Sequence, residues 1–230
     1  MKFRIRASAC GQIMTNPRKK TDLISKTAQT YCETWLKEKL YNRQHTFSSK
    51  YTEKGLLTEN ESIDFLAEYY DLGLLMKNDK QFSNEWITGE PDVIQPNLII
   101  DVKNSWSPFT FPYFGTDVPD KSYYWQGQCY MDLTDTDEFW LIYVLSDTPQ
   151  HLIEREMFSY ARKMGMTDPD EAIWDHFMKD MTYSDVPDDL KIKRYIIKRD
   201  DKAIQSIHDR VELVRDYLTP YIELNQAYLK

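Results

Sequence analysis

The feature that most constrains the fold is a short apolar segment near the middle of the chain. Residues 93–100 read VIQPNLII, in which two β-rich runs flank Gln-Pro-Asn, a tripeptide typical of turns. Two such runs joined by a short turn predict a β-hairpin. Further strands are predicted by the apolar run of residues 138–146 and by residues 193–198.

The rest of the chain is mostly helical in pattern, because its apolar residues recur every three or four positions. Ser8 is predicted to cap the first helix, and Thr58 with Glu61 forms a capping-box pattern. Residues 43–55 and 104–120 are predicted loops. The predicted helices are residues 7–14, 21–42, 58–72, 121–133 and 201–229, with 151–183 mostly helical. This order predicts an α/β (α+β) fold in which residues 1–230 form a single domain with helical additions.

The composition excludes several classes of protein. Hydrophobic residues make up 41% and charged residues 29%, as in soluble globular proteins. No run approaches the ~18 apolar residues that a membrane span needs, and residues 1–14 lack the apolar centre of a signal peptide. The 3 cysteines are far apart, which disfavours disulfides or a zinc site and indicates a reducing cytoplasm.

The net charge of −8 disfavours a uniformly basic surface for nucleic acid. A narrower arrangement remains compatible with it. We expect a basic strip confined to the inside of a cleft or ring, with acidic stretches such as residues 168–189 on an outer face.

The residues with the clearest chemistry follow the predicted turn. Side chains alternate along a strand, so Asp101 and Lys103 project to one face and their apolar neighbours to the other. If the hairpin turns at residues 95–97, Asp92 returns opposite Asp101. Two like charges at that distance repel each other, and a hard divalent cation such as Mg²⁺ would relieve the conflict. Lys103 would then orient or deprotonate a metal-bound water, or stabilise charge on a phosphate.

Glu59 supplies a third carboxylate. It is predicted to open the 58–72 helix on the same stripe as Ile63 and Leu66, where an acid is costly unless it is paired or binds metal. Simpler interpretations remain open for both features. The Asp-x-Lys triplet could form a surface ion pair on an exposed strand, and Glu59 could be an acid favoured by the helix dipole.

Taken in order, these residues resemble the PD-(D/E)XK nucleases, and within them the lambda-exonuclease or YqaJ-like viral recombinase group. The resemblance runs from about residue 4 to residue 218. It implies a restriction-endonuclease-like core, a central mixed β-sheet flanked by helices. The motifs that carry it are Gly89-Glu90-Pro91-Asp92 with Asp101-Val102-Lys103, Gly55 to Glu59, Gln126-Gly127-Gln128, and Arg6-Ala7-Ser8.

The resemblance also implies roles for these residues. Lys103 would act on the attacking water, and Gln126 would contact the scissile phosphate or Lys103. The implied ligands of Mg²⁺, or of Mn²⁺ in its place, are Glu59, Asp92, Asp101 and the backbone carbonyl of Val102. The implied contacts to DNA and its 5′-phosphate are Ser8, Gln128, and Arg4 or Arg6, which would replace an Arg that the family has several residues earlier.

The implied activity is 5′→3′ exonucleolytic hydrolysis of linear double-stranded DNA, leaving 3′ single strands for phage-type homologous recombination. The implied partners are double-stranded DNA ends, a single-strand annealing protein and two further copies of the chain in a trimeric ring, without a membrane. The expected location is the bacterial cytoplasm or a phage-infected host cell. The alternatives are a restriction-like endonuclease, an RNA nuclease on the same core, or a catalytically silent DNA-binding protein.

An aromatic loop follows Lys103 directly. Two interpretations apply to it: ordinary core packing, or a stacking platform for an unpaired DNA end, since stacking on a base is tolerant of sequence. Its aromatic residues are Trp106, Phe109, Phe111, Tyr113 and Phe114.

Overall fold

The computed structural model describes residues 2–46 and 49–229. Within these residues, seven α-helices and seven β-strands form, together with short 3-10 turns. The strands are β1 (Ile5–Arg6), β2 (Phe82–Ser83), β3 (Ile87–Gly89), β4 (Val93–Gln95), β5 (Leu98–Asn104), β6 (Glu138–Val144) and β7 (Ile192–Lys198). The helices are α1 (Cys10–Ile13), α2 (Lys26–Leu40), α3 (Lys50–Tyr69), α4 (Lys121–Thr134), α5 (Gln150–Lys163), α6 (Glu171–Met181) and α7 (Asp201–Leu224).

The main sheet has four strands in the order β4-β5-β6-β7. β5 runs parallel to β6, and β4 and β7 are antiparallel to their neighbours, so the sheet is mixed as predicted. Gln95 pairs with Leu98, which leaves Pro96 and Asn97 as the hairpin turn. Asn97 has a φ of 58°, a left-handed conformation that Asn tolerates better than most residues.

A smaller sheet, β1-β3-β2, joins the start of the chain to the residues that precede the hairpin. β1 is parallel to β3, with Ile5 opposite Ile87. A Cβ at Gly89, at the end of β3, would lie 2.9 Å from the Cβ of Ala7. The N-terminal turn is therefore packed directly against the segment that leads to Asp92.

Each face of the main sheet is covered by helices. One face packs Ile99, Phe139 and Leu141 against residues of α4 and α7 such as Met131 and Val211. The other face packs a second buried set against α3: Ile100, Val102, Ile142 and Val144 with Ile63, Leu66 and Ala67. This alternation is the reason that residues 138–144 are almost continuously apolar, because a strand between two layers buries both of its faces.

The prediction for the start of α3 is wrong. The helix begins at Lys50, where the Ser49 side chain accepts a hydrogen bond from the backbone N–H of Thr52 and completes a capping box. Thr58 lies in the middle of the helix and donates to the carbonyl of Lys54, so it caps nothing. Much of the start of α3 faces solvent, so residues 50–55 are mostly polar, and a polar segment is typical of a loop. Phe47 and Ser48 of the predicted loop lie outside the described residues.

Other boundaries differ by smaller amounts. Ser8 lies inside a 3-10 turn, Ala7–Ala9, and makes no capping hydrogen bond. α2 begins at Lys26, because Ser25 caps it by accepting from the N–H of Ala28. The region 151–183 divides into α5 and α6 at Gly165, whose φ is 76°. No helix among the described residues is long and apolar enough to cross a membrane.

Candidate active site

Two carboxylates meet at the point where the hairpin opens. The ladder between β4 and β5 ends at the pair Val93 and Ile100, so the next residues, Asp92 and Asp101, stand opposite each other. Asp92 Oδ2 accepts a hydrogen bond of 2.8 Å from the backbone N–H of Val102. The Asp92 carboxylate thus accepts the hydrogen bond that a backbone carbonyl would accept if the β4–β5 ladder continued. Asp92 lies opposite Asp101, as the turn at residues 95–97 predicted.

The backbone carbonyl of Val102 faces the same edge. The N–H and C=O groups of one strand residue point to the same side, because paired residues exchange both hydrogen bonds. Since the N–H of Val102 points to Asp92, its carbonyl oxygen does too. The Asp92 carboxylate and the Val102 carbonyl therefore lie at one edge of β5, and the Asp101 side chain projects from the adjacent residue.

Lys103 and Asp101 form an ion pair on the face opposite the buried side chain of Val102. Lys103 Nζ lies 2.5 Å from Asp101 Oδ2, and the Asp101 side chain is only 1% exposed. Apart from that ion pair, Asp101 Oδ2 is a buried oxygen with no hydrogen-bond partner among the described residues. Lys103 is thus the partner of this buried oxygen.

A residue of α4 orients the Asp101 carboxylate. Gln126 Nε2 donates to Asp101 Oδ1 at 2.9 Å and also contacts the hydroxyl of Tyr130 at 3.2 Å. The amide is directed to the Asp101 carboxylate, and the contact of Gln126 with the scissile phosphate or Lys103 stays a prediction. Tyr130 in turn donates to the carbonyl of Glu90 at 3.2 Å, which joins α4 to the residues before Asp92.

The electrostatics show that negative charge is crowded here. Burial, and then the nearby Asp101, raise the pKa of Asp92 to about 7, although Lys103 and the Val102 N–H act in the opposite direction. Burial by itself would lower the pKa of Lys103, but Asp101 and Asp92 outweigh it and raise that pKa above its ordinary value. Lys103 is therefore an ammonium ion shared by two carboxylates.

Glu59 lies nearby but is directed elsewhere. It is an interior residue of α3, not its first, since the helix begins at Lys50. Its Oε2 accepts a hydrogen bond of 2.7 Å from Lys77 Nζ, and its side chain is 13% exposed. Accordingly, residues 2–46 and 49–229 contain no three acidic, His or Cys side chains already close enough together to hold a metal ion.

The donor set nevertheless fits Mg²⁺ or Mn²⁺. Carboxylate and carbonyl oxygens are the ligands these hard cations prefer. The raised pKa of Asp92 indicates a site that is short of positive charge. Asp92, Asp101 and the Val102 carbonyl are in place, whereas one carboxylate oxygen of Glu59 is ion-paired with Lys77.

The predicted DNA-end contacts lie on the N-terminal turn. Arg4, Arg6 and Ser8 are all exposed. Arg6 and Ser8 line a cleft of about 430 Å³ between this turn and α2, where the Arg6 guanidinium is ion-paired with Glu38. The structure thus places Arg6 and Ser8 together but already provides Arg6 with a partner.

Gln128 is not a DNA contact, and that prediction is corrected. It is fully buried. Its Nε2 donates to the carbonyl of Lys198 at 2.8 Å, and its Oε1 accepts from the N–H of Asp200 at 2.9 Å. Both ends of the amide therefore serve to fix α4 to the connection between β7 and α7.

Three residues near the site have contacts that were not predicted from the sequence: Tyr130, Lys54 and Lys77. Tyr130 follows Gln126 by four positions, so helical spacing could have indicated that both face Asp101. Lys54 is buried and donates to the carbonyls of Ser105 and Trp106 at 2.9 and 3.3 Å, a position that its polar surroundings in the sequence concealed. Lys77 lies in an exposed polar segment in which nothing in the sequence distinguishes it.

The aromatic loop divides between the two interpretations. Phe111 is buried with Leu145 and Tyr183, as core packing predicts. Phe109 and Phe114 are 98% and 92% exposed. These two rings are free to stack on another molecule.

The chain is similar to exonucleases of known structure. No family model matches the chain, and no curated protein matches it. Among solved structures, it is similar to a phage-related exonuclease from Haemophilus somnus 129PT, with 28% identity, a TM-score of 0.80, and coverage of 97% of this chain and 96% of that one. It also shares the fold of LHK-Exo, an alkaline exonuclease from Laribacter hongkongensis, with 17% identity, a TM-score of 0.63, and coverage of 97% and 92%.

The fold, the hairpin with its two aspartates and the Asp-x-Lys strand together resemble those of the PD-(D/E)XK nucleases. Within that class the chain resembles the lambda-exonuclease or YqaJ-like group, and its similarity to solved exonucleases confirms the resemblance found in its motifs. It has the restriction-endonuclease-like α/β core that the resemblance implied.

Proposed function

We propose that this protein is a Mg²⁺-dependent exonuclease that degrades linear double-stranded DNA from its 5′ ends. The observation that carries the proposal is the juxtaposition of Asp92, the residue before β4, with Asp101 and Lys103 of β5, with Lys103 Nζ 2.5 Å from Asp101. A rigid sheet positions these groups more precisely than a loop would, as phosphodiester hydrolysis requires. The 28% identity to a phage-related exonuclease supports the same activity.

Each residue has a distinct role in this proposal. Asp92, Asp101 and the Val102 carbonyl hold Mg²⁺, with Glu59 as a further ligand. When bound, the metal lowers the pKa of a coordinated water and neutralises charge on the phosphate. Gln126 fixes the orientation of Asp101 through its 2.9 Å hydrogen bond.

Lys103 acts on the water and the phosphate. The two aspartates raise its pKa, so it is cationic. A cation beside the reacting phosphate stabilises the negative charge that develops there and orients the attacking water by donating a hydrogen bond. This favours a role as hydrogen-bond donor over one as general base.

The cleft beside α2 is proposed to hold the 5′ end of the DNA. Ser8 would donate its hydroxyl to the terminal phosphate, and Arg6 would exchange Glu38 for that phosphate, with Arg4 as a further cation. Ala7 packs against Gly89, which supports a fixed spacing between this cleft and Asp92. Phe109 and Phe114 are proposed to stack on unpaired bases near the end of β5.

The proposed products, partner and assembly rest on the resemblance to the lambda-exonuclease or YqaJ-like group. We propose that the products are mononucleotides and a 3′ single strand, that a single-strand annealing protein binds this strand, and that three copies of the chain form a ring around the duplex. Such a system would act in homologous recombination in the cytoplasm of a bacterium or a phage-infected host cell.

Digestion of linear and circular duplex DNA of the same sequence tests the proposal. With Mg²⁺ we expect loss of the linear DNA and survival of the closed circle, and no digestion of either in EDTA. Cleavage of the circle would show a restriction-like endonuclease, and digestion of duplex RNA instead would show an RNA nuclease. If neither nucleic acid is cut with Mg²⁺ or Mn²⁺, the proposal is wrong, and binding of the uncut duplex would then show a silent DNA-binding protein.

A further inference from the structure

Lys77 occupies the position of a counter-ion to the candidate metal site. Its Nζ lies 2.7 Å from Glu59 Oε2, and the two side chains are 43% and 13% exposed. The pairing links an acid on α3 to a lysine that is 18 positions later in the chain. The pair thus engages one carboxylate oxygen of Glu59 with a lysine ammonium.

The backbone holds Lys77 firmly at this place. Lys77 forms an antiparallel bridge with Val93, the residue after Asp92. The next residue, Asn78, donates its backbone N–H to the carbonyl of Asp92 at 2.7 Å and its side-chain amide to the carbonyl of Pro91 at 3.0 Å. Lys77 is therefore attached to the edge of β4 that faces away from β5, next to Asp92.

We propose that Lys77 is an exchangeable counter-ion of the metal site, which competes with the divalent cation for Glu59. In the metal-free protein its ammonium neutralises Glu59, and metal binding requires that this ion pair break. Lys77 is thus a positioning residue, not a catalytic one, and it lowers the affinity of the site for metal. The inference rests on the proposed function, because it assumes that Glu59 binds the metal.

The competition sets the size of the expected effect. A partly exposed ion pair contributes up to ~1 kcal/mol. If the Lys77–Glu59 pair no longer competes with the metal for Glu59, the affinity for metal should therefore increase by about fivefold. The substitution Lys77→Met keeps most of the apolar stem and removes the charge. Lys77→Arg keeps the charge and should leave the affinity within about twofold of the original protein if the pair persists.

The test is calorimetric titration of the DNA-free protein with Mn²⁺ and with Mg²⁺, which needs no catalytic turnover. Lys77→Met should bind either metal about fivefold more tightly than the original protein. Lys80→Met, an exposed lysine in the same segment, controls for the loss of one positive charge and should have little effect. In a Glu59→Gln background, Lys77→Met should no longer tighten binding, because the competing pair is already gone.

The outcomes separate the two proposals. Unchanged or weaker metal binding by Lys77→Met overturns the role of Lys77 and leaves the proposed nuclease intact. Equal tightening in the Glu59→Gln background also overturns it, because the effect would then be general electrostatics. If the original protein binds neither metal, the proposed metal-dependent function fails together with this inference.

Discussion

Two aspartates that share one lysine determine the energetics at the scale of single residues. Removing any one of Asp92, Asp101 and Lys103 changes a buried balance of charge, since burial and Asp101 raise the pKa of Asp92 to about 7. Such crowding disfavours the metal-free fold and favours binding of a cation. The same charges that serve the proposed chemistry are thus expected to reduce stability in the absence of metal.

Asp92→Asn tests this crowding. The native carboxyl keeps a proton between about pH 4 and pH 7 that the unfolded chain has lost, so the free energy of unfolding of the metal-free protein falls as the pH rises through this window. At pH 8 we expect metal-free Asp92→Asn to be more stable than the original protein by about 1 to 3 kcal/mol. Added Mg²⁺ should stabilise the original protein and not the variant.

Thermal and urea denaturation in EDTA and in Mg²⁺ provide the measurement. Asp64→Asn, on the exposed side of α3, is the control and should change stability by no more than about 0.5 kcal/mol. If Asp92→Asn is less stable than the original protein at pH 8 without metal, the carboxylates are not in conflict.

Lys103→Ala should abolish hydrolysis. Loss of a charged donor at a reacting phosphate costs about 100- to 1000-fold in kcat. The variant should keep the fold, as judged by its circular dichroism spectrum in Mg²⁺. Near-normal turnover of linear duplex DNA by Lys103→Ala would remove this lysine from the mechanism.

The sequence predicted part of this arrangement at the residue scale. Strand alternation placed Asp101 and Lys103 on one face, and the turn at residues 95–97 set Asp92 opposite Asp101, because both follow from local geometry. The partner of Glu59 could not be predicted. Its pairing with Lys77 depends on how the connection after α3 returns to β4, a tertiary contact with no local pattern.

At the scale of elements, the close contact between α4 and β6 depends on Gly127. A Cβ at this position would lie 2.6 Å from Phe139 Cδ1, so Gly127→Ala should destabilise the protein by about 1 to 3 kcal/mol. Gly55, inside α3, has open space around it, and Gly55→Ala should stabilise the protein by about 0.5 to 1 kcal/mol. Urea denaturation of both variants checks the contrast; equal effects would contradict this packing.

α3 also anchors the aromatic loop through Lys54. Burial lowers the pKa of Lys54 to about 8, while Asp147 acts weakly in the other direction. Between that value and about pH 10, the unfolded chain holds a proton that the native protein has lost, so Lys54 makes the free energy of unfolding rise with pH. The rise should be absent when Lys54 is replaced.

Urea denaturation of the original protein and Lys54→Met at pH 7.5 and pH 9.5 measures this effect. The original protein should gain about 1 to 2 kcal/mol relative to the variant over this interval. A constant difference between the two proteins would show that Lys54 keeps an ordinary pKa. Tyrosines and cysteines of the unfolded chain also ionise in this interval, but both proteins carry them, so their contributions cancel in the comparison.

Elements with a strong apolar period were predicted well, and caps were not. α4, β6 and β7 lie within three residues of the predicted bounds, because their apolar residues alone define them. α3 begins eight residues before its predicted start at residue 58, since Ser49 and Thr52 cap it within a polar segment that reads equally well as loop. Thr58 and Glu61 match the capping-box pattern by sequence, but both lie inside α3.

At the scale of the whole molecule, a mixed sheet between two helical layers carries the candidate site at the edge where β4 ends. The net charge of −8 includes Glu59, Asp92 and Asp101, which a bound Mg²⁺ would partly offset. Other acidic side chains are exposed on and beside α6, among them Asp170, Glu171, Asp175 and Asp180. An acidic chain is therefore compatible with DNA as a substrate, because local charge at the site decides binding.

Digestion of a linear duplex labelled at either the 5′ or the 3′ end, in Mg²⁺, tests the central claim most directly. The account predicts that a 5′ label is released at once as a mononucleotide, that a 3′ label remains on long single strands, and that EDTA stops both. A 5′-hydroxyl end should be digested more slowly than a 5′-phosphate end, and Ser8→Ala should reduce this difference. Early release of the 3′ label, or digestion without metal, would contradict the account.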